Sequence, residues 1–271
     1  MRNWLRPSFP SFPWASIEDV VEEPMMPPEP THPYYPLGVD IPAYGENEAP
    51  VPVLLAALGG TLCFAVLSVA LIARKLNPGL SASGLAVFCW FIMNASLHCV
   101  FEGYFVLNHA TVASSQSLLA QLWKEYALSD SRYLTSDFFM LSVESITVFV
   151  WAPLCLANAI ETARNGPSRH ALRIVACVAH LYGVALYYAT SQCEFYFTGE
   201  SHSRPEFLYF WVYYVGFNLP WAIVPAFLLV DSVKAVTRAM KALDKADVTL
   251  SSHRLRTRGD VGGQLESRKT K

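Results

Sequence analysis

Residues 85–107 read LAVFCWFIMNASLHCVFEGYFVL, an apolar run that carries His98 and Glu102 four positions apart near its middle. A run of this length can cross the hydrocarbon core of a bilayer as one helix. Each ionisable side chain at the centre of such a helix costs about 3 kcal/mol of insertion free energy, so side chains of this kind mark a functional site. A second run, residues 138–160, carries Glu144 at a similar depth. We therefore expect a membrane protein with titratable groups inside its helices.

The composition agrees with this class, because hydrophobic residues make up 53% of the 271 residues and charged residues only 15%. Only α-helices and closed β-barrels satisfy every backbone hydrogen bond in lipid, and unbroken apolar runs exclude the alternating strands of a barrel. The predicted fold class is all-α, a polytopic membrane protein with a bundle of five transmembrane helices. The predicted spans are residues 51–73, 82–107, 138–160, 172–190 and 207–230.

Charge divides the chain into a tail of residues 1–50, a five-span domain of residues 51–232 and a second tail of residues 233–271. The first tail is proline-rich, with two basic and eight acidic residues, and is expected to be loosely ordered. From Ser232 onward ten basic residues face four acidic ones, a balance of +6. The positive-inside rule then places the N-terminus in the lumen and the C-terminus in the cytoplasm. Glycines 259, 262 and 263 predict loss of order near the end. The final residues, RKTK, are similar to dilysine-type retrieval signals of endoplasmic reticulum proteins.

Helical spacing places polar and aromatic side chains on shared faces of three spans, at about 100° per residue. Such faces are unsuited to lipid, so we expect them to converge on a common interior. Helix-packing hydrogen bonds are the alternative role for Asn94 and Thr147, and the favoured role for His180. The predicted faces are Asn94, His98 and Glu102; Glu144, Thr147 and Trp151; and Trp211, Tyr214, Asn218 and Trp221.

These side chains combine an acid, a base and a π-face. His98 and Glu102 form a proton donor–acceptor pair. A desolvated aromatic face stabilises a cation by about 2 kcal/mol or more. The combination indicates either chemistry through a carbocation or recognition of a cationic amphiphile, and spacing alone leaves both open.

The order of several sequence blocks resembles the emopamil-binding protein family, the sterol Δ8-Δ7 isomerases of EXPERA type. The resemblance covers about residues 85–235, with an EXPERA-like region at about 82–232. It departs from the family at Ser145, Val184 and Pro220. The blocks are LHCVFEGYFVL (97–107), QLWKEY (121–126), DSRY (130–133), VESIT (143–147), LYG (181–183), LYFW (208–211) and NLPW (218–221).

The resemblance implies a five-helix bundle in the endoplasmic reticulum membrane that encloses a sterol-sized cavity. It also implies a reaction that moves a ring double bond from C8=C9 to C8=C7. An acid protonates C9, a cation forms at C8, and a base removes a proton from C7. The family's essential positions fall on His98, Glu102, Glu144, Thr147, Asn218 and Trp221. Five aromatic residues are assigned to substrate binding: Phe101, Phe105, Tyr126, Trp151 and Tyr214.

Specific roles follow from the resemblance together with the chemistry of the pocket. The pairs His98 with Glu102 and Glu144 with Asn218 are expected to handle the two protons, with acid and base unassigned. Trp221 is expected to face the cation, and Thr147 to orient Glu144. The loop of residues 123–133 either caps the cavity or is structural, with Arg132 paired to Asp130 or Asp137.

The expected partners are a sterol substrate and the lipid bilayer, without nucleic acid, while a homodimer is left open. No cofactor is expected because the reaction is redox-neutral, and no metal is expected because the six cysteines form no ligand spacing. A non-catalytic membrane receptor for sterols and cationic amphiphiles is the main alternative. A transporter or channel would need a polar path through the bilayer, which the first and fourth spans do not offer.

Overall fold

The computed structural model describes residues 32–269, with side chains up to residue 251. Within this part, five helices are long and apolar enough to cross a membrane, and no residue forms a β-strand. The prediction of an all-α polytopic membrane protein is therefore confirmed. The first to fifth spans are Val51–Leu76, Ala82–Asn108, Phe138–Ala163, Arg169–Thr198 and Leu208–Ser251.

The second and third spans begin after residues whose side chains satisfy a free N–H group of the first helical turn. Ser81 accepts a hydrogen bond from the Gly84 N–H at 3.0 Å, and Asp137 accepts one from the Met140 N–H at 2.9 Å. Side-chain oxygens at this position replace the missing intrahelical acceptors. These caps fix where the second and third spans enter the bundle.

Three spans contain π-helical segments, at Leu97–Glu102, Thr147–Trp151 and Leu208–Gly216. In a π-helix each N–H bonds to the carbonyl five residues earlier, which widens the turn and changes the order of side chains around the axis. Such segments are frequent at functional sites. The faces predicted from a spacing of 100° per residue apply to regular α-helix, and these three segments depart from it.

The spans pack in pairs, the fourth against the fifth and the second against the C-terminal half of the third. Small side chains at these contacts let the helix backbones approach closely, which is the main source of helix association in lipid. The first span is the least covered, with 6% of its apolar window buried. Buried residues of the first four spans form one core cluster, which consists of Ala70, Ala73, Phe88, Phe91, Ile92, Ala95, Cys155, Ala159, Ala176 and Cys177.

Residues 32–50 are packed, which differs from the loose order predicted for the N-terminal tail. They lie on Leu118–Tyr126, a short helix in the connection after the second span that we call the loop helix. The Tyr34 hydroxyl donates to the Lys124 carbonyl at 3.0 Å, and the Lys124 ammonium donates to the Gly45 carbonyl at 2.6 Å. This packing could not be predicted from composition, because the contacts join residues about 80 to 90 positions apart in the sequence. Residues 1–31 of that tail lie outside the described residues.

The C-terminal tail continues the last helix, which runs as Leu219–Lys269. The backbone is helical through glycines 259, 262 and 263, where the sequence predicts a loss of order. A glycine lowers helix stability by about 1 kcal/mol without forbidding the conformation. The side chains of the basic ending lie outside the described residues.

A buried ion pair anchors the connection between the second and third spans. Arg132 donates to both carboxylate oxygens of Asp130, at 2.9 and 2.6 Å, and both residues are buried. Although burial opposes the positive charge, hydrogen bonding to Asp130 keeps the pKa of Arg132 above its ordinary value. This pairing is one of the two alternatives predicted for Arg132.

Asp130→Ala is expected to lower the free energy of unfolding by about 3–5 kcal/mol, because it leaves a buried guanidinium without its partner. The measurement is the thermal unfolding midpoint of the purified protein in detergent. The matched control is Glu206→Ala, which breaks the more exposed pair of Glu206 with Arg204 and should shift the midpoint much less. Equal shifts in the two variants would contradict a structural role for the buried pair.

Candidate active site

A cavity of about 590 Å³ lies among the five spans and the loop helix. This volume is within the range of about 300–1,000 Å³ that is typical of small-molecule sites. Most of its wall is apolar, including Leu55, Leu58, Leu62, Leu97, Leu122, Met140, Val143, Val184 and Phe217. The polar side chains in the wall include His98, Glu102, Glu125, Glu144, Thr147, His180 and Asn218.

His98 and Glu102 lie together in the π-helical segment of the second span. His98 Nδ1 is 2.8 Å from both carboxylate oxygens of Glu102. An imidazole N–H at this position can be shared by both oxygens of an ionised carboxylate. His98 and Glu102 therefore form one hydrogen-bonded pair in the cavity wall.

Glu144 enters the same cavity from the third span. The Tyr133 hydroxyl donates to Glu144 Oε1 at 2.9 Å, and both residues are buried. Burial raises the pKa of Tyr133 well above its ordinary value, so the phenol keeps the hydrogen that it donates. Glu144 also interacts electrostatically with Glu102. Two carboxyl groups from separate helices thus share one pocket.

Trp221 lies in the cavity wall, and residues outside the cavity lining hold its ring. Its Nε1–H donates to Asn94 Oδ1 at 2.6 Å, and the Asn94 amide donates to the Trp90 carbonyl at 2.7 Å. The Trp90 and Trp221 rings are 5.9 Å apart. Asn94 is buried and lies outside the cavity lining, so it contacts Trp221 from the side away from the cavity.

Asn218 and Thr147 line the cavity but contact partners other than the predicted one. The Asn218 amide donates to the Tyr214 carbonyl at 2.8 Å and to the Tyr126 hydroxyl at 3.4 Å. The Thr147 hydroxyl donates to the Val143 carbonyl at 3.0 Å. Neither forms a direct hydrogen bond to Glu144, whose described hydrogen-bond donor is Tyr133.

Three of the five aromatic residues assigned to substrate binding line the cavity: Phe101, Tyr126 and Trp151. The other two, Phe105 and Tyr214, are packed in the core beside it, at 0% and 2% exposure, and do not reach the lining. Phe105 packs edge-on against Tyr133 with ring centroids 5.3 Å apart. It therefore supports the tyrosine that contacts Glu144.

The π-helical segment explains why the predicted face of the fifth span fails. Trp211 is 57% exposed on the outside of the bundle, and Tyr214 is buried in the core. The wider turn brings Tyr213 and Phe217 to the cavity in their place. Asn218 and Trp221 follow the segment and do line the cavity, as predicted.

Glu125 and Tyr133 were not predicted as site residues from the sequence. Both line the cavity, and the Tyr213 hydroxyl donates to Glu125 Oε1 at 2.9 Å. Burial raises the pKa of Glu125. The sequence signal for these two residues was the QLWKEY and DSRY blocks. These blocks place both residues in the loop of residues 123–133, which could cap the cavity.

His180 also lines the cavity, close to His98 and Cys155. These three residues offer ligand atoms that all lie within 4.8 Å of one another, so among the described residues they are a group that could hold a metal ion. The sequence spacing did not predict this group, because its members come from three different spans.

Known proteins are similar to this chain over most of its length. Residues 118–232 match the family profile EXPERA (EXPanded EBP superfamily). A Mus musculus protein named 3-beta-hydroxysteroid-Delta(8),Delta(7)-isomerase is 34% identical, over 82% of this chain and 96% of its own length. The Cavia porcellus protein of the same name is 36% identical, over 79% of this chain and 93% of its own. A Melia azedarach protein named isomeliandiol synthase MOI2 is 29% identical, over 72% of this chain and 90% of its own length. The chain belongs to the EXPERA superfamily.

Proposed function

We propose that the protein is a membrane-bound sterol isomerase that moves a ring double bond from C8=C9 to C8=C7. One observation carries the proposal: Glu102 and Glu144, from two different spans, meet in one apolar cavity of about 590 Å³. An apolar cavity suits a steroid ring, and two carboxyl groups suit a reaction that adds one proton and removes another. The names of the mouse and guinea pig relatives support the same reaction.

Glu102 acts as the base in this proposal, and Glu144 as the acid. The His98 N–H is shared by both oxygens of Glu102, which supports an ionised carboxylate that can take the proton from C7. The acid must then be a second group, and Glu144 is the other carboxyl close to Glu102. Tyr133 donates to one oxygen of Glu144 and leaves the other to carry the proton for C9.

The cation at C8 is the high-energy species that the site must stabilise. Trp221 presents an aromatic face in the same wall, and its hydrogen bond to Asn94 fixes the ring. A desolvated π-face of this kind stabilises a cation by about 2 kcal/mol or more. Each step moves only a proton and ring electrons, so the reaction needs no oxidant or reductant.

The direct test is conversion of a Δ8 sterol by membranes that contain this protein, from a host lacking its own isomerase. The expected result is the Δ7 product, identified by gas chromatography and mass spectrometry. Binding of a tertiary amine without any conversion would support a non-catalytic receptor and would overturn the proposal. Because one relative is named isomeliandiol synthase, formation of isomeliandiol should be assayed in parallel to define the substrate.

Trp221→Ala is expected to raise the inhibition constant of a tertiary amine that mimics the C8 cation by about 30-fold, the equivalent of about 2 kcal/mol. Trp221→Phe keeps a π-face while losing the hydrogen bond to Asn94, so its effect should be much smaller. The measurement is a dose–response curve with wild-type membranes as reference. Equal inhibition of wild type and Trp221→Ala would contradict a π-face at the cation.

The proposal includes location in the endoplasmic reticulum membrane with a luminal N-terminus. Basic residues in the last turn of the first span, Arg74 and Lys75, and those near the start of the fourth, Arg169 and Arg173, support this orientation. An N-glycosylation sequon inserted in the connection of residues 109–137 should then be modified, while one inserted in residues 164–168 should not. The reverse pattern would overturn the orientation.

A further inference from the structure

The fourth span contributes a second histidine to the acid–base group. His180 Nε2 lies 3.3 Å from His98 Nε2, and the ring centroids are 5.5 Å apart. Both residues are buried, at 6% and 3% exposure. Glu102, His98 and His180 therefore form a chain of side chains that contact one another in series.

The proposed role of Glu102 as the base fixes one arrangement of hydrogens in this chain. With His98 Nδ1 as the donor to Glu102, Nε2 of a neutral His98 ring is a lone pair. His180 Nε2 must then be the donor, which leaves its Nδ1 as a bare lone pair. His180 Nδ1 has no hydrogen-bond partner among the described residues.

Protonation of His98 would reverse the contact. A charged His98 donates from both nitrogens, so His180 Nε2 would have to accept and its hydrogen would move to Nδ1. That N–H would be a buried donor without a partner, which is unfavourable. His180 therefore favours the neutral His98 ring with its Nδ1 hydrogen directed at Glu102.

We infer that His180 is a positioning residue that donates to His98 Nε2 and holds the His98 ring with its Nδ1 directed at Glu102. The kinetic part of this inference rests on the proposed isomerase function. Cys155 Sγ, at 3.8 Å from His180 Nε2, completes a group that a soft metal ion would also fit. One hydrogen bond accounts for the 3.3 Å contact between the two rings, so no metal ion is needed to explain it. We therefore favour the positioning role, and metal binding is an outcome of the test.

The test compares His180→Leu, which removes the donor, with His180→Gln, whose amide can still donate to His98. His180→Leu is expected to lower kcat about 10-fold or more with KM changed less than about 2-fold, and His180→Gln to restore most of kcat. Cys155→Ala should leave the activity unchanged. Wild-type activity in His180→Leu, or equal losses in the Leu and Gln variants, would overturn the inference.

A second measurement does not depend on turnover. In ¹⁵N-histidine NMR spectra of the full chain in nanodiscs, His98 should be protonated at Nδ1, with an Nε2 signal that shifts in His180→Leu and returns toward wild type in His180→Gln. An unchanged His98 spectrum in His180→Leu would overturn the inference. Stoichiometric zinc in the purified protein that is lost in Cys155→Ala would also overturn it, in favour of a metal site. If the wild-type protein converts no sterol, the isomerase proposal fails. The spectra would still show whether His180 donates a hydrogen bond to His98.

Discussion

Glu144→Gln is expected to lower the rate of Δ8 sterol conversion by at least about 100-fold, because an amide cannot supply the proton for C9. The protein should still fold, since glutamine has a similar volume and its amide oxygen can still accept the hydrogen bond from Tyr133. The measurement is product formed per amount of protein in membranes of an isomerase-deficient host, together with the thermal unfolding midpoint.

The matched control is Glu161→Gln, which changes a glutamate at the end of the same span, outside the cavity lining. Glu161 accepts hydrogen bonds from Ser168, and a glutamine oxygen can do the same, so conversion should match wild type. Activity of Glu144→Gln within about 2-fold of the control would remove Glu144 from the reaction.

Glu102→Gln is expected to cause a loss of similar size, at least about 100-fold, because a neutral amide cannot take the proton from C7. The His98 Nδ1–H can still donate to the new amide oxygen, so the local fold should persist. Substrate conversion and inhibitor binding should be measured on the same membranes, since binding separates a loss of chemistry from a loss of the pocket. Near-normal conversion with normal binding would assign the base to another group.

The spans and the pair His98 with Glu102 were predictable from the sequence. Each span is an apolar run with polar ends, and residues four apart on one helix meet whatever the rest of the chain does. The convergence of Glu144, Asn218 and Trp221 on the same cavity also followed, because polar side chains within membrane helices turn away from lipid. These predictions needed only local geometry and the properties of the bilayer.

The partners of these residues were not predictable in the same way. Tyr133 reaches Glu144 from the connection between two spans, and its position depends on the packing of the loop helix. The hydrogen-bond partners of Asn218, the Tyr214 carbonyl and the Tyr126 hydroxyl, were not predictable, because no spacing rule applies between different helices and loops. Trp211 and Tyr214 were misplaced because π-helical turns have no simple sequence signature.

The position of a bound cation mimic tests the central claim most directly. A structure of the protein with an 8-aza steroid, whose ring nitrogen replaces C8, should place the ammonium between the carboxyl groups of Glu102 and Glu144, within about 6 Å of each. The ring of Trp221 should face the same nitrogen. An ammonium that lies near only one of the two carboxyl groups, or a steroid bound outside the cavity, would contradict the proposed mechanism.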